Sequence, residues 1–553
     1  MNETTKIKNK LEKSLEDGLE YSRKNSSLYL ILATVLFFIT NIGTITVYAG
    51  IPVFLYKNKY LCKDPLNPNL FTTKCSRKFI CDNKNRIDVD YILDEKNTIY
   101  SFITVFDIYC SNIKQVILTS SFFLGGMLGN IIYPYLLKNN GLLNTIVIFY
   151  ILISISFFSL IKFNYYILGV IFYTISAISH QICTLGFKQY IIEMSSPLSR
   201  PIYLLINLLA GGFSGFFVIM ITFMTLDYRR LLFWAGVICF IGALLIKLFV
   251  VESVRILFIQ DNRNEILKNL EYISKINNSS NEFREWKKNN KMFFNNENNK
   301  DEKEYMLLDY NDNSYINKNM IDDINFINIW TYPSQVKLLI LFSIGVYLFN
   351  YSIILSQLEM RKQNKFFLSL FEAYICDIIG YIIGILINNI KDLSRKLSLI
   401  IITFSLGIVL LISNLIYSNQ FIFILLRIFV NAFDSNLTLY NFESFPTLTR
   451  SNGIAINRIL GKFFNIPTPF IMVSFPKKGY FFGFLFSIGF LALILFLSPA
   501  EMKGESINEY PLEIGMKIYK KEKKDDDINE SQNTNNIKIS NKDVDDYRLN
   551  SNL

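Results

Sequence analysis

Twelve blocks of apolar residues, each long enough to cross a lipid bilayer, constrain this chain more than any other feature. A hydrocarbon core of roughly 30 Å needs about 20 residues of helix. Blocks at 28–56, 113–137, 142–161, 165–190, 201–224, 231–251, 335–358, 366–389, 397–417, 421–443, 453–475 and 479–498 qualify, with only Lys162 and Asn164 marking the turn between the third and fourth. Inside lipid the backbone must satisfy its own hydrogen bonds, so such blocks fold as helices. The chain is 51% hydrophobic and 18% charged over 553 residues, too little polar surface for a soluble protein of this length. The net charge of +10 is scattered through loops and tails rather than gathered on one stripe, which argues against nucleic-acid binding. The expectation is an all-α membrane protein with twelve transmembrane helices, embedded in a lipid bilayer.

Polar stretches divide the series. Residues 1–27 are polar and charged, so the first apolar block is expected to be a retained span rather than a cleaved signal. Residues 28–251 hold six spans, with a large loop at 57–112; residues 252–334 form a linker; residues 335–498 hold six more; and residues 499–553 form a tail. Asn277–Lys300 and the tail are rich in Asn and Lys with Glu or Asp, and are expected to be disordered. Lys6, Lys8, Lys10, Lys13, Arg23 and Lys24 precede span one, and Lys391, Arg395 and Lys396 lie between spans eight and nine. By the positive-inside rule both termini are expected in the cytosol.

Four cysteines, Cys62, Cys75, Cys81 and Cys110, fall in or beside the first loop. They suit two disulfides in an oxidising compartment, with three pairings open. Free thiols or a zinc site are the alternative, but the loop has no His and no paired CxxC.

The two halves repeat each other. Tyr190-Ile-Ile-Glu193 with Arg200, and Tyr440-Asn-Phe-Glu443 with Arg450, both read Tyr-x-x-Glu-x6-Arg, at an offset of 440 − 190 = 250 residues. Glu252-Ser-Val-Arg255 after span six and Glu501-Met-Lys503 after span twelve recur at 501 − 252 = 249. Two patterns in register, each at a span end, imply a duplicated six-helix unit. Parallel six-helix repeats are the major facilitator architecture, two pseudo-symmetric bundles with a solute site between them near the bilayer midplane. Glu193, Arg200, Glu443, Arg450, Glu252, Arg255, Asp392 and Arg395 are expected to brace a gate at one membrane face; simple interfacial anchoring is the alternative.

The residues also resemble the organic cation and anion transporters of the solute-carrier superfamily, over most of the chain except the Asn-rich linker and both tails. The closest segment is YNFESFPTLTRSNGIAINRILGKFFNIPTPF, Tyr440 to Phe470. Its Glu443, Pro446, Thr447, Arg450, Gly453, Lys462, Pro469 and Phe470 occupy the places of a family run YTAE-x-x-PT-x-x-R-x-x-G, a later charged residue, and Pro-Phe. Ile103–Cys110 with Ser120–Gly125, Asp227-Tyr-Arg229 with Glu252–Arg255, a helical stretch over Asn262–Asn277, and Pro499–Gly504 are similar to other family segments. The loop between spans two and three departs from the family's G-x-x-x-D-R-x-G-R: only Gly129 and Gly141 remain, with Lys138, Asn139 and Leu142 at the charged places. Its counterpart, Lys391-Asp392-Leu-Ser-Arg395-Lys396, is better kept. The resemblance implies that the residue at Lys462 faces the central cavity, as Asp in cation carriers and Arg in anion carriers.

A charge at the bilayer centre costs roughly 2.5–3.5 kcal/mol or more and so normally faces the protein interior. The intramembrane candidates are Lys188, Glu193, Glu372, Asp377, Arg427, Asp434, Arg458 and Lys462. Lys462, Asp377, Asp434 and Arg458 are the expected solute-binding set. Lys462 favours an anionic or zwitterionic solute; an internal salt bridge from Lys462 to Asp377 or Asp434 is the alternative. Arg427 lies seven residues before Asp434 and is read as its partner, and either acid could carry a coupling proton. His180, the only histidine, reads as a packing residue more readily than as a proton relay. Tyr374 or Phe433 is expected to line the cavity.

No phosphate-binding loop, nucleophile elbow, metal-binding His pair or dinucleotide fingerprint occurs. The expectation is therefore a monomeric secondary transporter without cofactors, not an enzyme. It would move a small organic anion or zwitterion, with a coupling proton or ion allowed, most naturally in the plasma membrane. A sugar or nutrient porter of the same fold, or a non-transporting sensor that keeps it, are the alternatives.

Overall fold

The structure is a computed structural model. It describes residues 18–23, 27–58, 60–63, 71–74, 80–81, 91–93, 99–196, 199–259, 262–289, 333–360, 366–390, 393–415, 420–445, 447–470 and 476–497. Within the described residues, each of the twelve apolar blocks forms a helix. Spans one to six are Leu28–Ala49, Asn112–Asn140, Leu142–Lys162, Tyr166–Met194, Arg200–Thr225 and Tyr228–Phe249. Spans seven to twelve are Pro333–Met360, Phe366–Asn389, Arg395–Leu415, Gln420–Ser444, Thr447–Asn465 and Pro476–Leu497. Eleven are apolar enough to cross a membrane on length and composition alone; the exception, span eleven, carries Arg450, Arg458 and Lys462.

Hydroxyls within the spans turn back on their own helix. Thr34, Thr40 and Thr46 donate to the carbonyls of Leu30, Leu36 and Ile42 at 2.6, 2.8 and 2.9 Å. They therefore need no other partner in a dry environment. Large apolar side chains such as Phe223, Met224, Leu248 and Phe496 stay exposed, which suits a lipid-facing surface.

The packing repeats with a period of six spans. Span one packs on five and six, two on four, and three on four and six. Adding six to each number gives the second half: seven on eleven and twelve, eight on ten, and nine on ten and twelve. The major contacts between halves obey the same rule, since span five crosses eight and span two crosses eleven. These are two pseudo-symmetric six-helix bundles, the fold that the offset of 250 residues implies.

The loop after span one holds a small antiparallel sheet that apolar blocks could not reveal. β1 (Tyr60–Lys63) lies between β2 (Phe71–Lys74) and β3 (Tyr91–Leu93). Cys81 and Cys110 form a disulfide, which removes two of the four loop thiols from any zinc site. Cys62 lies on β1, and Cys75 lies outside the described residues. The loop is tied to the turn before span six: Tyr100 N donates to Leu226 O at 2.8 Å and Tyr228 N to Tyr100 O at 3.1 Å. This membrane face is called the disulfide end below.

At the opposite end the linker begins with helices Val254–Ile259, Arg263–Ile276 and Ser280–Asn289. The disorder expected from Asn277 onward does not hold at its start. Phe283 and Trp286 are buried, and the Trp286 ring packs on Gly18. That apolar pair anchors a turn of otherwise polar helix. Asn277 then joins the linker to span one, donating to Ser22 O at 2.9 Å and accepting from Tyr29 N at 2.9 Å.

Glu252, just beyond span six, shows what replaces the missing arginines of the loop between spans two and three. Gly141 adopts φ of 77°, a left-handed conformation open to glycine, and a Cβ there would stand 2.8 Å from a Glu252 oxygen. The carboxylate approaches closely and accepts from Leu143 N at 2.9 Å, at the start of span three. Burial outweighs these hydrogen bonds and raises the Glu252 pKa from 4.5 to about 7. Between those values the folded protein holds a proton that the unfolded chain releases. Stability from this group is thus fully present below pH 4.5 and lost as pH rises through 7. Glu252→Gln is expected to flatten the fall in thermal midpoint across that window; an unchanged slope would show that another group sets it.

Candidate functional site

A cavity of about 150 Å³ lies between the bundles and is lined by both. At the disulfide end Tyr374 Oη donates across the halves to Ala49 O at 2.6 Å, and Ser120 Oγ donates to Ile466 O at 3.0 Å. Below the cavity Leu204 and Leu208 of span five pack on Tyr381 and Ile385 of span eight and Leu439 of span ten.

The expected binding set, Lys462, Asp377, Asp434 and Arg458, is brought together on the cavity wall. Its pairing differs from the expectation. Arg427 binds Asp377, not Asp434, in an ion pair whose side chains are 3% and 9% exposed. The reason is geometric: seven residues of helix separate Arg427 and Asp434 by about 10 Å of rise, whereas Asp377 arrives from span eight at the arginine's own level. Asn431 Nδ2 donates to the same carboxylate at 2.6 Å, and Arg427 Nη1 donates to Ser356 Oγ at 3.1 Å. The Arg427 guanidinium also lies 5.9 Å from the Tyr374 ring centre. Asp434 instead accepts from Thr438 Oγ1 at 3.2 Å.

Lys462 makes no ion pair among the described residues. Its side chain reaches from span eleven across to span two, with Nζ 5.3 Å from the Phe122 ring centre. Gly126 makes room for it, since a Cβ there would lie 2.6 Å from Nζ. Lys188 of span four and Arg458 line the cavity and likewise form no ion pair among the described residues. His180 lines the same wall with its Nδ1 unpartnered.

Several cavity residues were not singled out in the sequence: Tyr48, Gln181, Asn207, Asn350, Asn431 and Asn441. An amide within an apolar block was the available signal. Tyr374 lines the cavity as expected, but Phe433 does not: it is buried in the second bundle, 5.6 Å from the Phe490 ring.

The charged ends of spans four and ten gather at the face opposite the disulfide. Glu443 accepts from Arg395 Nε at 3.1 Å, with both side chains buried. Its repeat partner Glu193 has no arginine in that place and accepts from Ser253 Oγ at 2.6 Å and Gln189 Nε2 at 2.8 Å. Arg450 of the second half lies within electrostatic reach of Glu193, Arg255 and Arg200 of the first, and of Glu443. Asp392, Pro197, Pro446, Glu501 and Lys503 lie outside the described residues.

Two repeated six-helix bundles around a central polar cavity define a secondary transporter of the major facilitator superfamily, working by alternating access. The sugar (and other) transporter family matches residues 27–513, and the chain belongs to that family. Among solved structures it is similar to the proton:xylose symporter XylE bound to 6-bromo-6-deoxy-D-glucose, with 13% identity, a TM-score of 0.60, and coverage of 88% of this chain and 98% of that one. It is also similar to the xylose transporter XylE from E. coli in a partially occluded inward-open conformation, with 13% identity, a TM-score of 0.52, and coverage of 87% and 100%. At such identity the likeness speaks for the fold alone. No curated protein matches the chain in sequence.

Proposed function

We propose that this transporter carries a small polar organic anion or zwitterion. The observation behind this reading is the cavity's charge. Arg427 and Asp377 neutralise each other, leaving Lys188, Arg458 and Lys462 against Asp434, a balance of 3 − 1 = +2 among the described lining residues. Desolvated positive charge is costly unless met by an anion, and the low dielectric that makes it costly also strengthens the attraction. Asp434, with one hydroxyl donor, is the acid best placed to carry a coupling proton.

Glu193, Arg200, Arg255, Glu443, Arg450, Arg395 and Asp392 act in this reading as the gate, with Glu252 holding the start of span three. The Cys81–Cys110 disulfide supports an oxidising compartment at its end and both termini in the cytosol, in the plasma membrane or an organelle membrane. The carrier works as a monomer.

A second reading, a neutral sugar, is favoured by the amides Gln181, Asn207, Asn350, Asn431 and Asn441 beside Tyr48, Tyr374 and Tyr381. Amides and rings of this kind suit hydroxyl-rich solutes. The family is one of sugar (and other) transporters, and the similar structure XylE is a proton:xylose symporter, which points the same way. Uptake into proteoliposomes separates the two. Saturable uptake of organic anions, competed by other anions and not by hexoses or organic cations, is expected. Uptake restricted to neutral hexoses would overturn the anion reading.

A further inference from the structure

We infer that Tyr374 is the latch of the disulfide end: it closes that face of the carrier over a solute cavity whose wall it also forms. The inference rests on alternating access alone and holds for an anion or a sugar. Where the bundles meet at this end they share one apolar cluster. Val47, Ala49 and Val218 of the first half are buried in it with Phe366, Leu370 and Ala373 of the second. Aromatic rings extend the contact, with the ring centres of Tyr56 and Phe366 4.6 Å apart and those of Phe216 and Phe371 5.5 Å apart. Apolar contact of this kind is non-directional and fixes no particular register. The Tyr374 hydroxyl supplies the direction. Inside that cluster it donates at 2.6 Å from span eight to the carbonyl of Ala49, the last residue of span one.

Span five comes close enough to seat this ring because Gly215 has no side chain: a Cβ there would fall on the Tyr374 ring. The Arg427 guanidinium stands 5.9 Å from the ring centre and binds Asp377, which follows Tyr374 by one turn of span eight. Tyr374, Arg427 and Asp377 all line the cavity. One side chain therefore carries both a hydrogen bond that joins the halves and a surface that a solute meets. A hydroxyl sealed among apolar groups needs its partner, since losing it there leaves a desolvated donor. Once the bundles part, water takes the place of the Ala49 carbonyl and the donor is satisfied again. The bond thus favours the closed face without forbidding the open one, as alternating access requires.

The test is labelling of the full-length carrier, in oriented proteoliposomes, by a membrane-impermeant thiol reagent added from one face or the other. The reporter is Ile45→Cys on the cavity wall. The carrier without the reporter is the blank, its free Cys183, Cys239 and Cys376 being buried. Tyr374→Phe keeps the ring and drops the hydroxyl. It is expected to speed labelling from the disulfide face about fivefold, the equivalent of about 1 kcal/mol, and not to speed it from the opposite face. Gly215→Ala, which displaces the ring, should act in the same sense. Arg427→Met with Asp377→Asn keeps the hydroxyl but removes the charge beside the ring, and should speed labelling from the disulfide face about twofold. An unchanged rate in Tyr374→Phe would overturn the inference. Equal speeding from both faces would overturn it too, since that marks a loosened protein and not an opened latch. A double variant that labels like the unaltered carrier would overturn the tie between latch and cavity. The Tyr374→Phe comparison stands even where Gly215→Ala fails to fold.

Discussion

Arg427→Met is expected to cost about 3–5 kcal/mol of stability, read as a large fall in thermal midpoint and loss of monodisperse protein in detergent. The arginine and Asp377 are nearly sealed from solvent, at 3% and 9% side-chain exposure. Methionine fills a similar length but leaves the carboxylate with Asn431 as its remaining side-chain donor. One amide does not neutralise a desolvated charge, so the helix crossing between spans eight and ten loses its electrostatic tie. The matching control is Arg427→Met with Asp377→Asn. That pair of changes removes both charges and should recover most of the loss, because neither side is left unpaired. A double variant as unstable as the single one would show that Arg427 matters through packing on Tyr374 and Ser356 instead.

The sequence disclosed the fold because membrane physics leaves few choices. Helices must be about twenty residues long, and the Tyr-x-x-Glu-x6-Arg pair at Glu193 and Glu443 betrays the duplication. What escaped it was set by partners distant in sequence. β1 to β3 pair through backbone groups that leave no apolar block. The helix Ser280–Asn289 exists because Phe283 and Trp286 are buried, an effect hidden by the Asn- and Lys-rich composition around it. Sequence spacing shows one helix at a time and so pairs Arg427 with Asp434, whereas Asp377 comes from another helix. At the site, resemblance pointed to Lys462 through its place after Gly453. Asn207, Asn350 and Asn441 do not stand out in the sequence, because asparagine is common throughout this chain.

Lys462→Asp is expected to lower anion uptake by at least about 100-fold in kcat/KM, roughly 2.7 kcal/mol, while Lys462→Ala costs about tenfold. Alanine removes one attraction. Aspartate also adds a repulsion at the same place and brings the cavity balance from +2 to zero, removing the charge that selects an anion. At an effective dielectric near 20, each contact at about 4 Å is worth about 4 kcal/mol before desolvation reduces it, so a hundredfold loss is a conservative expectation. Stability should move in the opposite sense from Arg427→Met. Lys462 has no ion-pair partner to leave behind among the described residues, and Arg458 lies one turn away with the same charge. Thermal midpoints of both Lys462 variants should therefore equal or exceed that of the unaltered protein. Gly126 gives the independent check, because its missing Cβ is what lets Nζ rest against span two. Gly126→Ala pushes the ammonium out of that slot with the charge kept, and should weaken anion uptake without reversing selectivity. Full anion uptake by Lys462→Asp would remove Lys462 from the binding site and return the cavity to its amides and the neutral-sugar reading.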